Sequence, residues 1–226
     1  MDNPQPNIRL NKFLAERLGV SRREADELIV SGKVFVDNRK AILGTRIDSK
    51  SKVLCNNKIV PQETEYIYLI FHKPVGYVCS RRAQGSAPTL YDLLPSKYHK
   101  LKTVGRLDKD SSGLILLTND GDFAFQMTHP KFRKTKLYEV ELDRPLEPLH
   151  QQMISDYGVM LDDGPSQFRV IKDDGRYIVA LTEGRNRQIR RTFAALGYRV
   201  TKLHRTNFGK YELGSLKPGE ATEITL

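Results

Sequence analysis

Apolar positions near the N-terminus repeat with the period of an α-helix. Within 10–18 they recur every three or four residues, and Gly19 then provides a residue that tolerates positive φ at a helix end. A second segment opens with a capping box formed by Ser21 and Glu24 and ends before Gly32. The pattern therefore predicts two short helices in succession.

Short β-type segments follow the helices. Residues 33–36 alternate in polarity before an Asp37-Asn38 turn, and further β-prone stretches cover 41–47 and 52–54. The segment 61–65 contains a proline and two acidic residues and is the best candidate for a linker. We predict a flexible tail over 1–7, a small domain of two helices and a sheet over 8–62, and a larger domain over 63–226.

The larger domain combines strand and helix signals. Strands are predicted at 66–71, 114–117, 138–142, 168–172 and 177–181, and helices after Asp120, at 146–156 and at 186–196. The last two strands are joined through Asp173-Asp174-Gly175, which predicts a hairpin. Strands with hairpin turns and scattered helices indicate an α+β fold with a mainly antiparallel sheet flanked by helices.

The charge balance adds a class of partner. Lys and Arg outnumber Asp and Glu by 37 to 27 over 226 residues, giving a net charge of +10. Residues 1–62 hold twelve basic and seven acidic side chains, which is half of that excess in about a quarter of the length. This bias favours a polyanion such as nucleic acid and places its binding partly in the N-terminal domain.

Composition excludes several other classes. The two cysteines are too few for a disulfide framework, and the five histidines lack the spacing of metal ligands, so no metal site and no cofactor are expected. The first residues lack the apolar core of a secretory signal, and no apolar run is long enough to span a membrane. A cytoplasmic protein without membrane contact is expected.

The most informative stretch is a loop bounded by glycines, Gly105-Arg-Leu-Asp-Lys-Asp-Ser-Ser-Gly113, followed by an apolar strand and the turn Asn119-Asp120-Gly121. Glycine lets backbone approach a bulky ligand, and the strand behind the loop holds it in place. The Gly-Lys-Ser/Thr ending of a P-loop is missing and the glycine spacing does not fit a dinucleotide site. The loop therefore predicts a carboxylate site rather than a phosphate cradle.

These residues resemble the signature of the RsuA and Rlu type RNA pseudouridine synthases. Lys136-x-Tyr138-x-Val140 and the segment 183–191, Glu-Gly-Arg-Asn-Arg-Gln-Ile-Arg-Arg, resemble two further motifs in the family's order. His72-Lys73-Pro74 stands where the family usually has Asn-Lys-Pro. The two-helix domain is similar to the alpha-L RNA-binding domain named after ribosomal protein S4. Together the resemblance covers about residue 8 to the end.

The resemblance implies isomerisation of a uridine in RNA to its C-glycoside. Asp108 would be the nucleophile, because a positioned carboxylate can stabilise or trap the sugar while the N-glycosidic bond breaks. Arg190 would pair with Asp108, and Tyr138 would stack on the target base and take part in proton transfer. Arg106, Leu107 and Ile189 would complete the pocket.

Basic side chains near these motifs and on the first two helices are expected to contact RNA phosphates, which contribute affinity but little sequence information. They are Arg9, Lys12, Arg22, Arg23, Lys73, Lys134, Lys136, Arg185, Arg187 and Arg191.

Ribosomal RNA, free or in a subunit assembly intermediate, is the partner that the resemblance implies, with the large subunit slightly favoured, and a monomer is expected. A non-catalytic RNA-binding assembly protein of the same fold is the alternative. A retaining glycosidase acting on free sugars fits least, because it would need a second catalytic carboxylate.

Overall fold

The computed structural model describes residues 7–81 and 85–226. The tail predicted over 1–7 lies, except for Asn7, outside the described residues. The chain divides into two compact units, the first extending to Ile67 and the second beginning at Tyr68, with residues 119–121 grouped with the first unit. Among the described residues, no helix is long and apolar enough to cross a membrane.

The N-terminal unit contains the two predicted helices followed by short strands. Its elements are β1 Ile8–Arg9, α1 Leu10–Leu18, α2 Arg22–Val30, β2 Val34–Val36, β3 Arg39–Lys40, β4 Arg46–Ile47, β5 Val53–Cys55 and β6 Lys58–Ile59. In the described chain β2, β3, β5 and β6 form one sheet in the order β3-β2-β5-β6, and β1 pairs with β4. The two-helix-plus-sheet prediction is confirmed.

Local sequence explains these boundaries. Gly19 ends α1 in the left-handed region at φ +69°, and the Ser21–Glu24 capping box begins α2 as predicted. Of the residues 41–47 that were expected to form a strand, only the last two do so, as β4, and the prediction is wrong for the others. Thr45 Oγ1 instead donates to the Ile42 carbonyl at 2.7 Å and closes a turn, with Gly44 at φ +86°.

The core of this unit forms where the apolar faces of α1 and α2 meet the strands. Leu10, Phe13 and Leu14 of α1 are fully buried against Ala25 and Ile29 of α2. Burial of such side chains is worth about 1.5–3 kcal/mol each. Arg17 donates two hydrogen bonds to the carbonyl of residue 62, at 3.0 and 2.6 Å, so the predicted linker segment is attached to α1.

The C-terminal unit is built on a large mixed sheet. Its elements are β7 Tyr68–Lys73, β8 Lys102–Val104, β9 Ser112–Thr118, α3 Gly121–Thr128, β10 Lys136–Leu142, α4 Pro148–Gln152, β11 Val159–Leu161, β12 Gly164–Ser166, β13 Arg169–Asp173, β14 Arg176–Leu181, α5 Gln188–Ala195, β15 Val200–Phe208, β16 Tyr211–Glu212 and β17 Ala221–Glu223. The sheet runs in the order β13-β14-β10-β15-β9-β7-β17, with β8 on β9 and β16 on β15. Among the described strands, only β9 and β15 pair in parallel.

The α+β class is confirmed, with corrections to single elements. The helix expected over 146–156 is α-helical only over Pro148–Gln152 and continues as a π-helical turn over Met153–Tyr157. The helix expected over 186–196 begins two residues later, because Arg187 is left-handed at φ +46°. The hairpin at Asp174-Gly175 is confirmed, and the long strand β15 was not predicted at all.

The parallel contact between β9 and β15 is very close at one residue. Gly113 pairs with Arg205, and a Cβ placed on Gly113 would lie 2.2 Å from the Arg205 carbonyl oxygen and 2.6 Å from its nitrogen. Real Cβ atoms do not approach backbone this closely, and Gly113 also has φ +107°. Only glycine therefore lets β15 lie beside the start of β9.

We expect Gly113→Ala to lower the free energy of unfolding by about 2–4 kcal/mol, because it combines a backbone clash with an unfavourable φ. Gly175→Ala is the matched control. Gly175 also has a positive φ, +81°, but its Cβ would meet nothing within 4 Å, so only about 1 kcal/mol should be lost. Chemical denaturation measures both, and equal losses would contradict the proposed clash.

Candidate active site

A cavity of about 290 Å³ opens beside the loop that precedes β9. This volume is close to the lower limit of roughly 300 Å³ for small-ligand pockets, so one nucleotide fits better than a helix. The cavity is lined by the loop containing Asp108, by β10 and β15, and by the segment that leads into α5. Thr128 at the end of α3 and Pro130 just after it also line it, so five separate parts of the sequence meet at this point.

The Asp108 loop is held by its backbone. The Leu107 amide donates to the Cys79 sulfur at 3.3 Å, and the Cys79 thiol lies within 3.3 Å of the Leu107 carbonyl. Leu107 is buried, while the side chain of Asp108 is 31% exposed. Burial raises the pKa of the Cys79 thiol, which keeps it in the protonated form that can donate. The loop thus presents Asp108 to the cavity from a fixed backbone.

A buried lysine supports the same loop from behind. Lys73, at the end of β7, is fully buried and donates to the carbonyls of Ser111 at 2.7 Å and Pro74 at 2.9 Å. Burial lowers the pKa of Lys73 to about 8. The phosphate contact predicted for Lys73 is therefore wrong, because its ammonium group is bound to the loop and has no access to solvent.

His72, which replaces the family's usual asparagine, is also buried. Its Nδ1 lies 2.7 Å from the Leu216 carbonyl oxygen, and its ring is 5.2 Å from that of His204. His72 therefore binds the segment that precedes β17.

Two arginines of the segment 183–191 converge on Asp110. Arg187 donates to both carboxylate oxygens of Asp110, at 2.9 and 2.8 Å, and Arg190 Nε lies 3.3 Å from Asp110 Oδ2. Hydrogen bonding from Arg187 lowers the pKa of the Asp110 carboxyl group. Arg190 also donates to the Asp110 carbonyl at 2.7 Å. Asp110 therefore connects the start of α5 to the Asp108 loop.

The predicted pairing of Arg190 with Asp108 is wrong. Within the described chain the ion pair of Arg190 is with Asp110, and the guanidinium near Asp108 is that of Arg187, whose Nη1 is 3.8 Å from Asp108 Oδ2. The left-handed conformation of Arg187 turns its side chain toward the loop, and Arg190 is held by the Val200 carbonyl at 2.9 Å.

Tyr138 and a second buried arginine form the opposite wall. Tyr138 lies directly across from Arg205 in the β10–β15 pair, and both line the cavity. Arg205 is 2% exposed; its Nε donates to the Leu114 carbonyl at 2.7 Å and its Nη1 to the Tyr138 hydroxyl at 3.4 Å. Its Nη2 is buried with no hydrogen-bond partner in the described structure. Sequence reasoning missed Arg205.

Lys136 adds another cation at this wall. Burial lowers the pKa of Lys136 to about 8, and the nearby charge of Arg205 acts in the same direction. Its Nζ donates to the Glu183 carbonyl at 3.2 Å and lies 5.2 Å from the Phe208 ring centroid. The cavity thus holds closely spaced cations that an anionic ligand would stabilise.

The remaining predicted residues separate into two groups. Ile189 is buried in the cavity lining, Leu107 lines it beside Asp108, and Arg106 is an exposed lining residue. Most of the predicted phosphate contacts lie at the surface or in ion pairs. Arg9, Arg22 and Arg23 are exposed and Lys12 and Lys134 half-buried, whereas Arg185 pairs with Asp163 and Arg191 with Asp162 and Asp163.

The sequence model for RNA pseudouridylate synthase matches residues 67–195, which contain the Asp108 loop, Tyr138 and both arginines of α5 and its preceding turn. The S4 domain model matches residues 8–53. The chain belongs to the RNA pseudouridylate synthase family. It is an isomerase with an N-terminal S4 RNA-binding domain, as the motifs indicated.

Relatives match along nearly the whole chain. A small-subunit pseudouridine synthase A of Pasteurella multocida is 36% identical, covering 96% of both chains, and a large-subunit pseudouridine synthase B of Bacillus subtilis is 34% identical, covering 96% of this chain and 92% of its own. A crystal structure titled pseudouridylate synthase superposes with a TM-score of 0.69 at 33% identity, covering 96% of each chain.

We expect Lys73→Met to change how stability depends on pH. The folded state holds the Lys73 proton with a pKa of about 8, below the roughly 10.4 of an unfolded chain. Between these values the unfolded state binds more protons, so the wild type gains stability as pH rises. Denaturation at pH 8 and pH 10 should show this gain reduced in Lys73→Met.

The control Lys172→Met removes an exposed lysine of β13. Its free energy of unfolding should rise between pH 8 and pH 10 by the same amount as that of the wild type. An equal rise in the wild type and in Lys73→Met would contradict the lowered pKa of Lys73.

We expect Arg205→Met to separate stability from activity. An apolar residue in place of a buried charge is often neutral or stabilising, so the free energy of unfolding should stay within about 1 kcal/mol of wild type or rise. Pseudouridine formation should fall at least roughly tenfold, because Tyr138 loses its donor. Arg169→Met, an exposed site on β13, is the control. Matched losses of stability and activity would mark a purely structural role.

Proposed function

We propose that this protein isomerises a specific uridine of ribosomal RNA to pseudouridine, with Asp108 as the nucleophile. The observation that carries the proposal is the convergence of a half-exposed Asp108, a buried Tyr138 and several cations on one nucleotide-sized cavity. Relatives of this chain are named pseudouridine synthases of the ribosomal large or small subunit.

The reaction rearranges atoms within one nucleotide. The N1–C1′ bond breaks, uracil turns within the cavity, a C5–C1′ bond forms, and the proton lost from C5 is balanced by one gained at N1. Asp108 stabilises or traps the sugar while the base is detached. Tyr138 stacks on the uracil ring, and Ile189 and Leu107 confine it, so the base rotates without leaving.

Arg187 and Arg190 act as positioning residues through Asp110. Arg187 is also the guanidinium next to the Asp108 carboxylate, with 3.8 Å between its Nη1 and Asp108 Oδ2. Lys136 and the unpartnered donor of Arg205 increase the positive potential where the nucleotide, with its phosphate, would enter. Attraction of the RNA and positioning of the Asp108 loop thus come from the same group of cations.

RNA affinity is assigned to the exposed basic residues of both units. Arg9, Arg22 and Arg23 of the N-terminal unit, with the exposed Arg187 and the half-buried Lys134 near the cavity, would contact phosphates and make binding depend on salt. A paired uridine must be flipped out at a cost of a few kcal/mol, which these contacts offset. We propose a monomer acting on large-subunit RNA, free or in an assembly intermediate.

We expect Asp108→Ala to abolish pseudouridine formation, lowering the rate at least roughly 10³-fold, while RNA binding is retained. Unmodified large- and small-subunit transcripts and partly assembled subunits are incubated with each protein, and pseudouridine is mapped by carbodiimide-dependent primer-extension stops. Asp156→Ala, an exposed acid of the π-helical turn, is the control and should keep full activity.

A stop at one uridine with wild type and control, but not with Asp108→Ala, supports the proposal and identifies the site. Tight binding of every RNA without any stop would favour the non-catalytic assembly protein. If Asp108→Ala gave a primer-extension stop as strong as that of the wild type, Asp108 could not be the nucleophile.

A further inference from the structure

A cluster of exposed rings lies on α3 and on the turn that follows it. Phe125 is 46% exposed and Phe132 37% exposed, and their ring centroids are 5.9 Å apart at an angle of 89°. His129 packs on both rings, at 4.6 Å from Phe125 and 6.4 Å from Phe132. Lys131 Nζ lies 5.2 Å from the Phe125 centroid and 4.7 Å from that of Phe132. We call these four residues the aromatic rim.

The folding of α3 does not require the aromatic rim. The core side of this helix is formed by Phe123 and Met127, which are buried against the sheet. Phe125 lies between them in sequence and is exposed, as is Phe132 on the turn Pro130–Phe132. Exposed apolar groups indicate a binding site when they are contiguous, and these two rings contact each other at the surface next to a cation.

The aromatic rim adjoins the cavity of the active site. Thr128 and Pro130, which stand on either side of His129 in the sequence, line that cavity. The turn is fixed by backbone bonds, since the Phe132 amide donates to the His129 carbonyl at 3.1 Å and the Arg133 amide to that of Pro130 at 3.0 Å. The rings are therefore held beside the cavity by an ordered backbone.

The positive charge around the rings indicates which kind of partner would bind there. Residues 129–136 contain Lys131, Arg133, Lys134 and Lys136 and no acidic residue. Aromatic rings interleaved with basic side chains are the arrangement by which proteins hold single-stranded nucleic acid, since rings stack on bases and cations bind phosphates. An apolar protein surface placed here would remove these cations from water without supplying counter-charge.

We propose that the aromatic rim is a stacking site for an unpaired nucleobase that flanks the target uridine in the substrate RNA. This rests on the proposed function, because it is the RNA at the cavity that brings the base to the rim. The exposed faces of Phe125 and Phe132 take the base, and Lys131 and Arg133 take the adjoining phosphates. The two phenyl rings offer no hydrogen-bond readout, so stacking on them selects for an unpaired base more than for its identity.

The test measures base stacking without turnover. Two fluorescent 12-nucleotide probes are compared by anisotropy: oligocytidylate, which contains no uridine, and an abasic ribose-phosphate oligomer of equal charge. Stacking contributes about 1–3 kcal/mol per base, so the wild type should bind oligocytidylate roughly 5- to 150-fold more tightly. In the double variant Phe125→Leu, Phe132→Leu this preference should shrink at least about fivefold, with affinity for the abasic probe unchanged.

Tyr157→Leu is the matched control, since Tyr157 is an aromatic residue 74% exposed on the π-helical turn, outside the active site. It should keep the wild-type preference. Thermal unfolding of the double variant confirms that the fold is retained. No change in preference, or equal weakening for both probes, would overturn stacking, and capture of an apolar peptide instead of RNA would point to a protein partner.

The location beside the uridine is tested in the transcript that the wild type modifies. An abasic site introduced next to the target uridine should raise KM for the wild type and have little further effect on the double variant, whereas additive effects would overturn this placement. If no transcript is modified but the oligocytidylate preference depends on the rings, the proposed function fails and stacking stands. If pseudouridine forms but the double variant keeps the wild-type preference for oligocytidylate, only the stacking proposal fails.

Discussion

The approach of β9 to β15 at a single glycine is the constraint on which the cavity depends. Gly113 lets the backbone of Arg205 lie against the first residues of β9, immediately after the Asp108 loop. Arg205 is in turn the cross-strand partner of Tyr138 on β10. A shift of this contact would therefore move the carboxylate and the aromatic ring relative to each other, and chemistry at a sugar tolerates little displacement.

Electrostatics reinforces this geometry at a cost in stability. Lys73 and Arg205 are withdrawn from water and Lys136 is half-buried, and burial lowers the pKa of each of the two lysines to about 8. Buried cations destabilise a fold unless they are paired, and the Nη2 of Arg205 has no partner within the described residues. Buried charges of this kind are typical of functional sites, where side chains are placed to act on a substrate although they lower the stability of the fold.

Sequence patterns predicted the parts of the fold that local rules determine. The capping box at Ser21, the glycine end of α1 and the hairpin at Gly175 follow from φ preferences and neighbouring hydrogen bonds. The long strand β15 was missed because Arg205, a charged residue, occupies an inward position and breaks its apolar alternation. Family motifs led to Asp108 and Tyr138, which both line the cavity, but they predicted the wrong partner for Arg190, whose ion pair with Asp110 joins segments that are distant in sequence.

The position of β15 also affects the time at which the active site forms. This strand, made of residues 200–208, lies between β10 and β9 and joins two halves of the sheet, whose strands β13, β14 and β10 on one side and β9 and β7 on the other are synthesised before it. One half carries Asp108 and the other Tyr138, so the cavity cannot close before the ribosome has passed residue 208. Joining distant segments is slow compared with forming local helices. The segment matched by the S4 domain model, residues 8–53, is thus synthesised well before the active site can close, so a nascent chain carries its RNA-binding domain before it carries a complete active site.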